Sequence, residues 1–174
     1  QPVMLAADVT ILRAWRSAGG VEPQLLAGHS LGEYAALVAA EALAFEDALC
    51  LVRARARAMQ DAVPEGQGAM AAILVLEDEA VRAACAEAGG MVQPVNYNAP
   101  GQVVVSGTPA GVAAAGDAVR AAGGKVMALP VGGAFHSPLM QGAADRMRAE
   151  LDKVEFKPAR CTVYSNVTAA PHAD

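Results

Sequence analysis

The sequence predicts an α/β fold, an α/β-hydrolase-like core with an inserted ferredoxin-like (βαββαβ) small subdomain. Three observations lead there. Gln24-Leu25-Leu26-Ala27 is a short apolar run, Gly28-His29-Ser30-Leu31-Gly32 sets a serine between two glycines, and residues 31–43 are rich in helix formers. Strand, glycine-flanked serine and helix together describe a nucleophile elbow, a sharp turn that leaves the serine hydroxyl exposed at its apex. Further on, strands and helices alternate as β-α-β-β-α-β, the ferredoxin-like order. Residues 1–66 and 132–174 therefore form the large subdomain and residues 67–131 the small one.

Each element has a local reason. Met4, Leu5, Val9, Leu12 and Trp15 recur at helical spacing, and Gly19-Gly20 supplies the stop. The elbow glycines allow two backbones to approach and the serine to take strained dihedrals. A second helix begins near Glu46 and ends before Pro64, with Leu49, Val52, Ala56, Met59 and Val63 as its apolar stripe. On its wheel Arg57 lies about 130° from the stripe centre, Arg53 about 90° and Arg55 about 70°. Arg53 and Arg57 read as surface charges. Geometry alone leaves Arg55 open between a surface charge and a head that reaches a pocket.

From Gly68 the pattern changes. Residues 69–76 read as a buried strand, 77–88 as a helix closed by Gly89-Gly90, and 91–97 as a second strand. Asn98-Ala99-Pro100-Gly101 is a turn and 102–106 a third strand. Thr108 caps a helix that opens on Pro109 and ends at Gly123-Gly124, and 125–131 is the fourth strand. Ser137 caps a further helix with Pro138 at its first position, running to about Val154, and 161–167 is a last strand.

Composition excludes several classes. The hydrophobic share of 54% contains much alanine, which predicts close-packed helices. A net charge of −5 argues against a nucleic-acid surface. Cys50, Cys85 and Cys161 are dispersed and form no C-x-x-C pair, so reduced core thiols, a cytoplasmic location and no metal site are expected. No apolar run reaches membrane-spanning length and no signal-peptide pattern opens the chain, so no membrane association is expected. A start at Gln1 and a close at Asp174 predict an excerpt of a longer protein.

A serine hydroxyl needs a neighbouring base to act as a nucleophile at neutral pH. The chain has three histidines. His29 adjoins Ser30, but consecutive residues diverge around a sharp turn, and His172 lies in a polar tail and reads as solvated. His136 sits in a glycine-flanked loop directly ahead of a helix N-terminus. The helix dipole there disfavours imidazolium and keeps the ring neutral, as a general base requires. Elimination makes Ser30 and His136 the dyad. The backbone N–H of Leu31, the residue after the nucleophile, supplies part of an oxyanion hole.

Four segments carry a resemblance. Gly28-His29-Ser30-Leu31-Gly32-Glu33-Tyr34, Arg55-Ala56-Arg57-Ala58-Met59-Gln60, Asn96-Tyr97-Asn98-Ala99-Pro100-Gly101-Gln102-Val103-Val104 and Phe135-His136-Ser137-Pro138-Leu139-Met140 resemble malonyl-CoA:acyl carrier protein transacylases. That family includes the stand-alone enzyme of bacterial fatty acid synthesis and the acyltransferase domains of polyketide synthases. The resemblance implies transfer of malonyl from malonyl-CoA to the phosphopantetheine thiol of acyl carrier protein through a malonyl ester of Ser30, with His136 as base. It implies no cofactor beyond these substrates, and a monomer. Arg55 matches the arginine that grips the free malonyl carboxylate, which a planar guanidinium can bind bidentately. Leu31 and Phe135 match the residues that accompany malonyl rather than methylmalonyl. Asn98 and Met59 match positions near the pocket.

The chain departs from the family at both ends. Members begin with a strand and a Gly-Gln-Gly loop that helps form the oxyanion hole, and they continue into a segment that orients the histidine. Losing one oxyanion donor typically costs about 10²–10³ in turnover, so the chain by itself is expected to be inactive or nearly so. Three other readings compete: an excised polyketide acyltransferase domain, a serine hydrolase with Asp117 as third member, and a non-catalytic piece that binds acyl carrier protein. The last would use Arg146, Arg148, Lys153, Lys157 and Arg160 as a basic patch, and its binding would weaken with salt.

Overall fold

The computed structural model describes residues 1–172; residues 173 and 174, which close the expected large subdomain, lie outside the described residues. The fold is mixed α/β with one parallel and one antiparallel sheet. It divides into two units, Gln1–Ala56 with Met147–Asp174, and Arg57–Arg146.

The first unit opens with helix α1 (Pro2–Ser17), whose Pro2 stands at the first helical position where no N–H is needed. Leu5 and Val9 are its buried residues, whereas Met4 and Trp15 are exposed, so the expected stripe is narrower than its spacing suggested. Trp15 lies over the helix end instead, its indole N–H donating to Val21 O at 2.9 Å. Strand β1 (Leu25–Ala27) pairs in parallel with β6 (Thr162–Tyr164), matching Leu26 with Val163. Between them in sequence lie helix α2 (Gly32–Ala39), helix α3 (Phe45–Ala62) and helix α6 (Gln141–Leu151), the last two shared with the second unit.

Helix α2 stops at Ala39 rather than near residue 43. Glu41 takes φ +62°, its N–H bonds Val38 O at 3.0 Å, and Ala42 N–H bonds Leu37 O at 3.0 Å. That reciprocal pair ends a helix on a left-handed residue. Two arginines cap the same end: Arg160 Nε reaches Ala39 O at 3.1 Å, and Arg16 Nη2 reaches it at 3.3 Å. Leu5, Val9, Leu31, Leu43, Leu51, Val52 and Met147 form the unit's core.

The second unit contains β2 (Ala69–Leu74), α4 (Asp78–Glu87), β3 (Val92–Ala99), β4 (Gln102–Gly107), α5 (Pro109–Ala121) and β5 (Lys125–Ala128). Its sheet has the order β3-β4-β2-β5 with every neighbouring pair antiparallel. Ile73, Val103 and Val105 of the sheet and Val81 and Val119 of α4 and α5 are almost completely buried together. Thr108 caps α5 by accepting the Gly111 N–H at 3.2 Å.

Several boundaries differ from the sequence reading. β2 ends at Leu74 because Val75 takes φ +70° and gives its N–H to Gly101 O at 2.9 Å. β3 runs through Asn98 and Ala99, which the sequence assigned to a turn. Ala99 pairs with Gln102, so only Pro100 and Gly101 connect the strands, and Gly101 supplies the φ of +72° that the turn requires. β5 stops at Ala128, two residues before Pro130, which has no N–H for a ladder. α6 ends at Leu151, and the helix expected after Pro138 starts as a 3₁₀ turn, Pro138–Met140. Of the cysteines, Cys85 is buried, Cys161 is half-buried and Cys50 is exposed, so Cys50 is not the expected core residue. Burial pushes the Cys85 thiol up to about 11. Among the described residues no helix is long and apolar enough to cross a membrane.

Candidate active site

β1 delivers the chain to Gly28, where a side chain is excluded. A Cβ there would stand 1.9 Å from Gly32 C and 2.0 Å from Gly32 O, because the chain folds back onto the first turn of α2. Gly32, by contrast, faces open space, so the close approach demands one glycine of the elbow rather than two. Ser30 follows at the apex with φ +53°, a left-handed conformation that is costly for a residue with a side chain.

The amides of the elbow are accounted for one by one. Gly32 N–H bonds His29 O at 2.9 Å, and Glu33 N–H bonds Ser30 O at 3.3 Å. Ser30 N–H donates to Asn166 Oδ1 at 2.9 Å. The Leu31 N–H has no acceptor among the described residues, while the Leu31 side chain is buried in the core. A free amide beside a hydroxyl is what binding a developing oxyanion calls for.

Arg55 comes to the same place from α3. Its Nη2 donates to Ser30 Oγ at 2.8 Å and its Nη1 to Gln1 Oε1 at 2.6 Å. Arg53 and Arg57, two residues to either side, are exposed. The wheel left Arg55 open, and the structure turns it inward. Its guanidinium is half-buried, and desolvation lowers its pKa, an effect that the nearby Tyr34 opposes. Burial in turn pushes the Tyr34 phenol up. Arg55 has no carboxylate within ion-pair distance among the described residues. Gln1 Oε1 and Ser30 Oγ, which accept from it, are neutral, a setting that favours an incoming anion.

Glu33, on the first turn of α2, anchors a second cluster. Its Oε2 accepts the Asn166 N–H at 3.2 Å and its Oε1 lies 2.7 Å from His172 Nε2. His172 is exposed, as expected, but it is not loose: the turn after β6 brings it back beside α2, where Glu33 holds it.

His136, Phe135, Met59 and Asn98 belong to the second unit. His136 is exposed with φ +62°, so both expected dyad residues occupy left-handed backbone. Ser137 fixes the following turn: its hydroxyl donates to Ala134 O at 2.7 Å and accepts the Leu139 N–H at 3.3 Å. Phe135 and Met59 are half-buried. Asn98 is exposed, at a register shift between Tyr97 and Ala99. Asp117 pairs with Arg120 at 2.8 Å on an exposed helix face, a surface role rather than that of a buried third member. Among the expected basic patch, Arg146 pairs with Asp61, Lys153 with Glu150 and Arg160 with Glu22. No cluster able to hold a metal occurs among the described residues.

Gln1, Glu33 and Asn166 were not assigned roles from the sequence. The Ser-x-x-Glu spacing of Ser30 and Glu33 was an available signal, since it spells a helix capping box. Asn166, far along the chain, gave none.

Residues 1–174 match the model of the acyl transferase domain, and the chain belongs to that family. Within it, the similarity is to malonyl transacylases. The chain is 49% identical over 170 residues to the malonyl CoA-acyl carrier protein transacylase of Escherichia coli (strain K12), covering 96% of this chain and 55% of that protein. It is 45% identical over 173 residues to that of Bacillus subtilis (strain 168), covering 97% and 54%. The acyl-carrier-protein S-malonyltransferase of Burkholderia pseudomallei 1710b superposes with a TM-score of 0.97 at 52% identity, over 100% of this chain and 58% of that one. A malonyl-transacylase solved in complex with a type II polyketide acyl-carrier protein superposes with a TM-score of 0.97 at 46% identity, over 100% and 57%. The chain spans about half the length of these relatives.

Proposed function

We propose that this chain carries the acyl-transfer centre of a malonyl-CoA:acyl carrier protein transacylase acting in fatty acid synthesis in the cytoplasm. The observation that carries the proposal is Arg55, a half-buried cation with no carboxylate partner among the described residues, whose Nη2 lies 2.8 Å from Ser30 Oγ. A malonyl thioester bound at Ser30 would place its free carboxylate, two bonds beyond the reacting carbonyl, within reach of that guanidinium. Its oxygens would replace Ser30 and Gln1 as acceptors, and an acetyl group has nothing to offer in their place.

In this reading Ser30 Oγ attacks the thioester carbonyl while His136 takes the hydroxyl proton. The tetrahedral oxyanion is received by the Leu31 N–H. Collapse breaks the carbon–sulfur bond, and coenzyme A leaves as the thiol with the proton from His136. The phosphopantetheine thiol of acyl carrier protein then gives its proton to His136, attacks the malonyl-serine ester, and Ser30 recovers the proton. Phe135 would narrow the pocket against an α-methyl group, with Met59 and Asn98 at its margin. The β1–β6 sheet with its helices corresponds to a hydrolase-like large subdomain and the βαββαβ unit to a ferredoxin-like small one. No cofactor is needed for these steps.

The test is transfer of radiolabelled malonyl from malonyl-CoA to phosphopantetheinylated acyl carrier protein. Labelled carrier protein is expected from a chain extended at both ends to the length of its relatives, with little from residues 1–174 alone and loss of transfer in Ser30→Ala and His136→Ala. Transfer that survives Ser30→Ala overturns the proposal.

A further inference from the structure

We propose that Asn166 is a positioning residue that releases the nucleophile from helix capping, an inference that rests on reading Ser30 as that nucleophile. Ser30-Leu31-Gly32-Glu33 has the spacing of a capping box at the start of α2. In a closed box the serine hydroxyl would accept the Glu33 N–H, and the Glu33 carboxylate would accept the Ser30 N–H. Both side chains would then be committed to the backbone.

The structure holds neither bond. Ser30 N–H goes to Asn166 Oδ1 at 2.9 Å, and the Glu33 carboxylate takes the Asn166 N–H at 3.2 Å. One residue from beyond β6 is thus inserted between the two ends of the box, donating to one and accepting from the other. Glu33 N–H is met by Ser30 O at 3.3 Å, and Ser30 Oγ accepts from Arg55 Nη2 at 2.8 Å.

The turn that presents Asn166 is itself built for the purpose. Ser165 Oγ accepts the N–H groups of Val167 and Thr168 at 3.3 Å, and Ser165 O accepts that of Ala169 at 3.0 Å. Ser165 N–H bonds Ala170 O at 2.9 Å, and His172 closes the assembly on Glu33 Oε1. Without Asn166 the Ser30 N–H and the Glu33 carboxylate would turn to each other, and a Ser30 that gave up its left-handed φ would close the box with its hydroxyl on the Glu33 amide.

Two readouts test this on the whole chain. The first is the rate at which phenylmethylsulfonyl fluoride sulfonylates Ser30, a reaction in which Oγ bonds to sulfur, fluoride leaves and the hydroxyl proton is lost. The second is hydrogen exchange of the Ser30 amide followed by NMR, which needs no reaction. Asn166→Ala and Glu33→Ala are expected to slow sulfonylation about tenfold or more, as loss of alignment at a nucleophile does. Asn166→Ala is also expected to speed Ser30 amide exchange. Glu33→Gln, which keeps an acceptor for the Asn166 N–H, is expected to restore the rate; a purely structural role would follow the urea midpoint instead. An unchanged sulfonylation rate or unchanged Ser30 exchange in folded Asn166→Ala overturns the proposal. Failure of malonyl-CoA to acylate a Ser30 that is still sulfonylated would count against the transacylase reading and leave this one standing.

Discussion

Arg55 Nη2 stands 2.8 Å from Ser30 Oγ, a guanidinium resting directly on the hydroxyl at the apex of the elbow. The pair joins the serine turn to α3, where Arg55 is the inward member of three arginines spaced two residues apart. Replacing Arg55 with Ala is expected to lower malonyl transfer about 10–100-fold, the equivalent of charge-assisted hydrogen bonds worth roughly 1.5–3 kcal/mol. Transfer of acetyl should fall far less. Competition between malonyl-CoA and acetyl-CoA measures the ratio, and an unchanged preference would refute the role. Arg55→Lys should not restore it, since an ammonium lacks the planar fork.

The two elbow glycines should respond in opposite ways. Gly28→Ala places a methyl 1.9 Å from the Gly32 carbonyl carbon, so the turn must open. The expected result is a loss of at least about 1–3 kcal/mol together with Ser30 reactivity. Gly32→Ala meets nothing within 4 Å and should leave both intact or slightly raise helix stability. Urea denaturation of both variants, with Ser30 labelling, separates them.

Glu22 gives a pH dependence with a definite sign. The hydrogen bond from Arg16 is the largest influence on its carboxyl; desolvation comes next and opposes it, and the charges of Arg16 and Arg160 add to the hydrogen bond to hold the carboxyl below the usual carboxylate range. The folded-state pKa is the lower one, so the stabilisation is present above the ordinary glutamate value of about 4.3 and is lost as pH falls through the folded value. The same two arginines hold the Ala39 carbonyl at the end of α2. Glu22→Gln should flatten the fall in the urea midpoint between about pH 6 and about pH 3. A slope identical to that of the unsubstituted chain would show that the cluster contributes nothing.

Ser106 is fully buried in β4, and its hydroxyl has no partner among the described residues. An unmatched buried hydroxyl carries a desolvation cost without a compensating bond. Ser106→Ala is expected to raise stability by up to about 1 kcal/mol. Ile73→Ala, in the core of the same sheet, should lower it by about 2–5 kcal/mol. Thermal unfolding of both variants checks the contrast.

Much of this was legible in the residues because the signals were local. The elbow is a strand, a turn and a helix in consecutive order, and the β-α-β-β-α-β succession follows hydrophobic runs and glycine pairs directly. Ends of elements were less legible. The stop of α2 depends on Glu41 adopting a left-handed φ and on arginines from residues 16 and 160, none of which a window around residue 40 contains. Asn98 reads as a turn residue by composition, yet pairing of Ala99 with Gln102 extends the strand past it. Arg55 could not be separated from a surface charge by its wheel position, since the decisive contact is with Ser30 on another element. Asn166 illustrates the same limit most plainly: its partner Ser30 lies 136 positions earlier in the chain.

The most direct measurement is intact-mass spectrometry of the chain mixed with malonyl-CoA, beside Ser30→Ala. A single malonyl adduct mapped to Ser30 and absent from Ser30→Ala is the expected result in a chain extended at both ends to the length of its relatives, with little or none on residues 1–174 alone. An adduct that persists in Ser30→Ala, or maps to another residue, would contradict the assignment of Ser30 as the nucleophile.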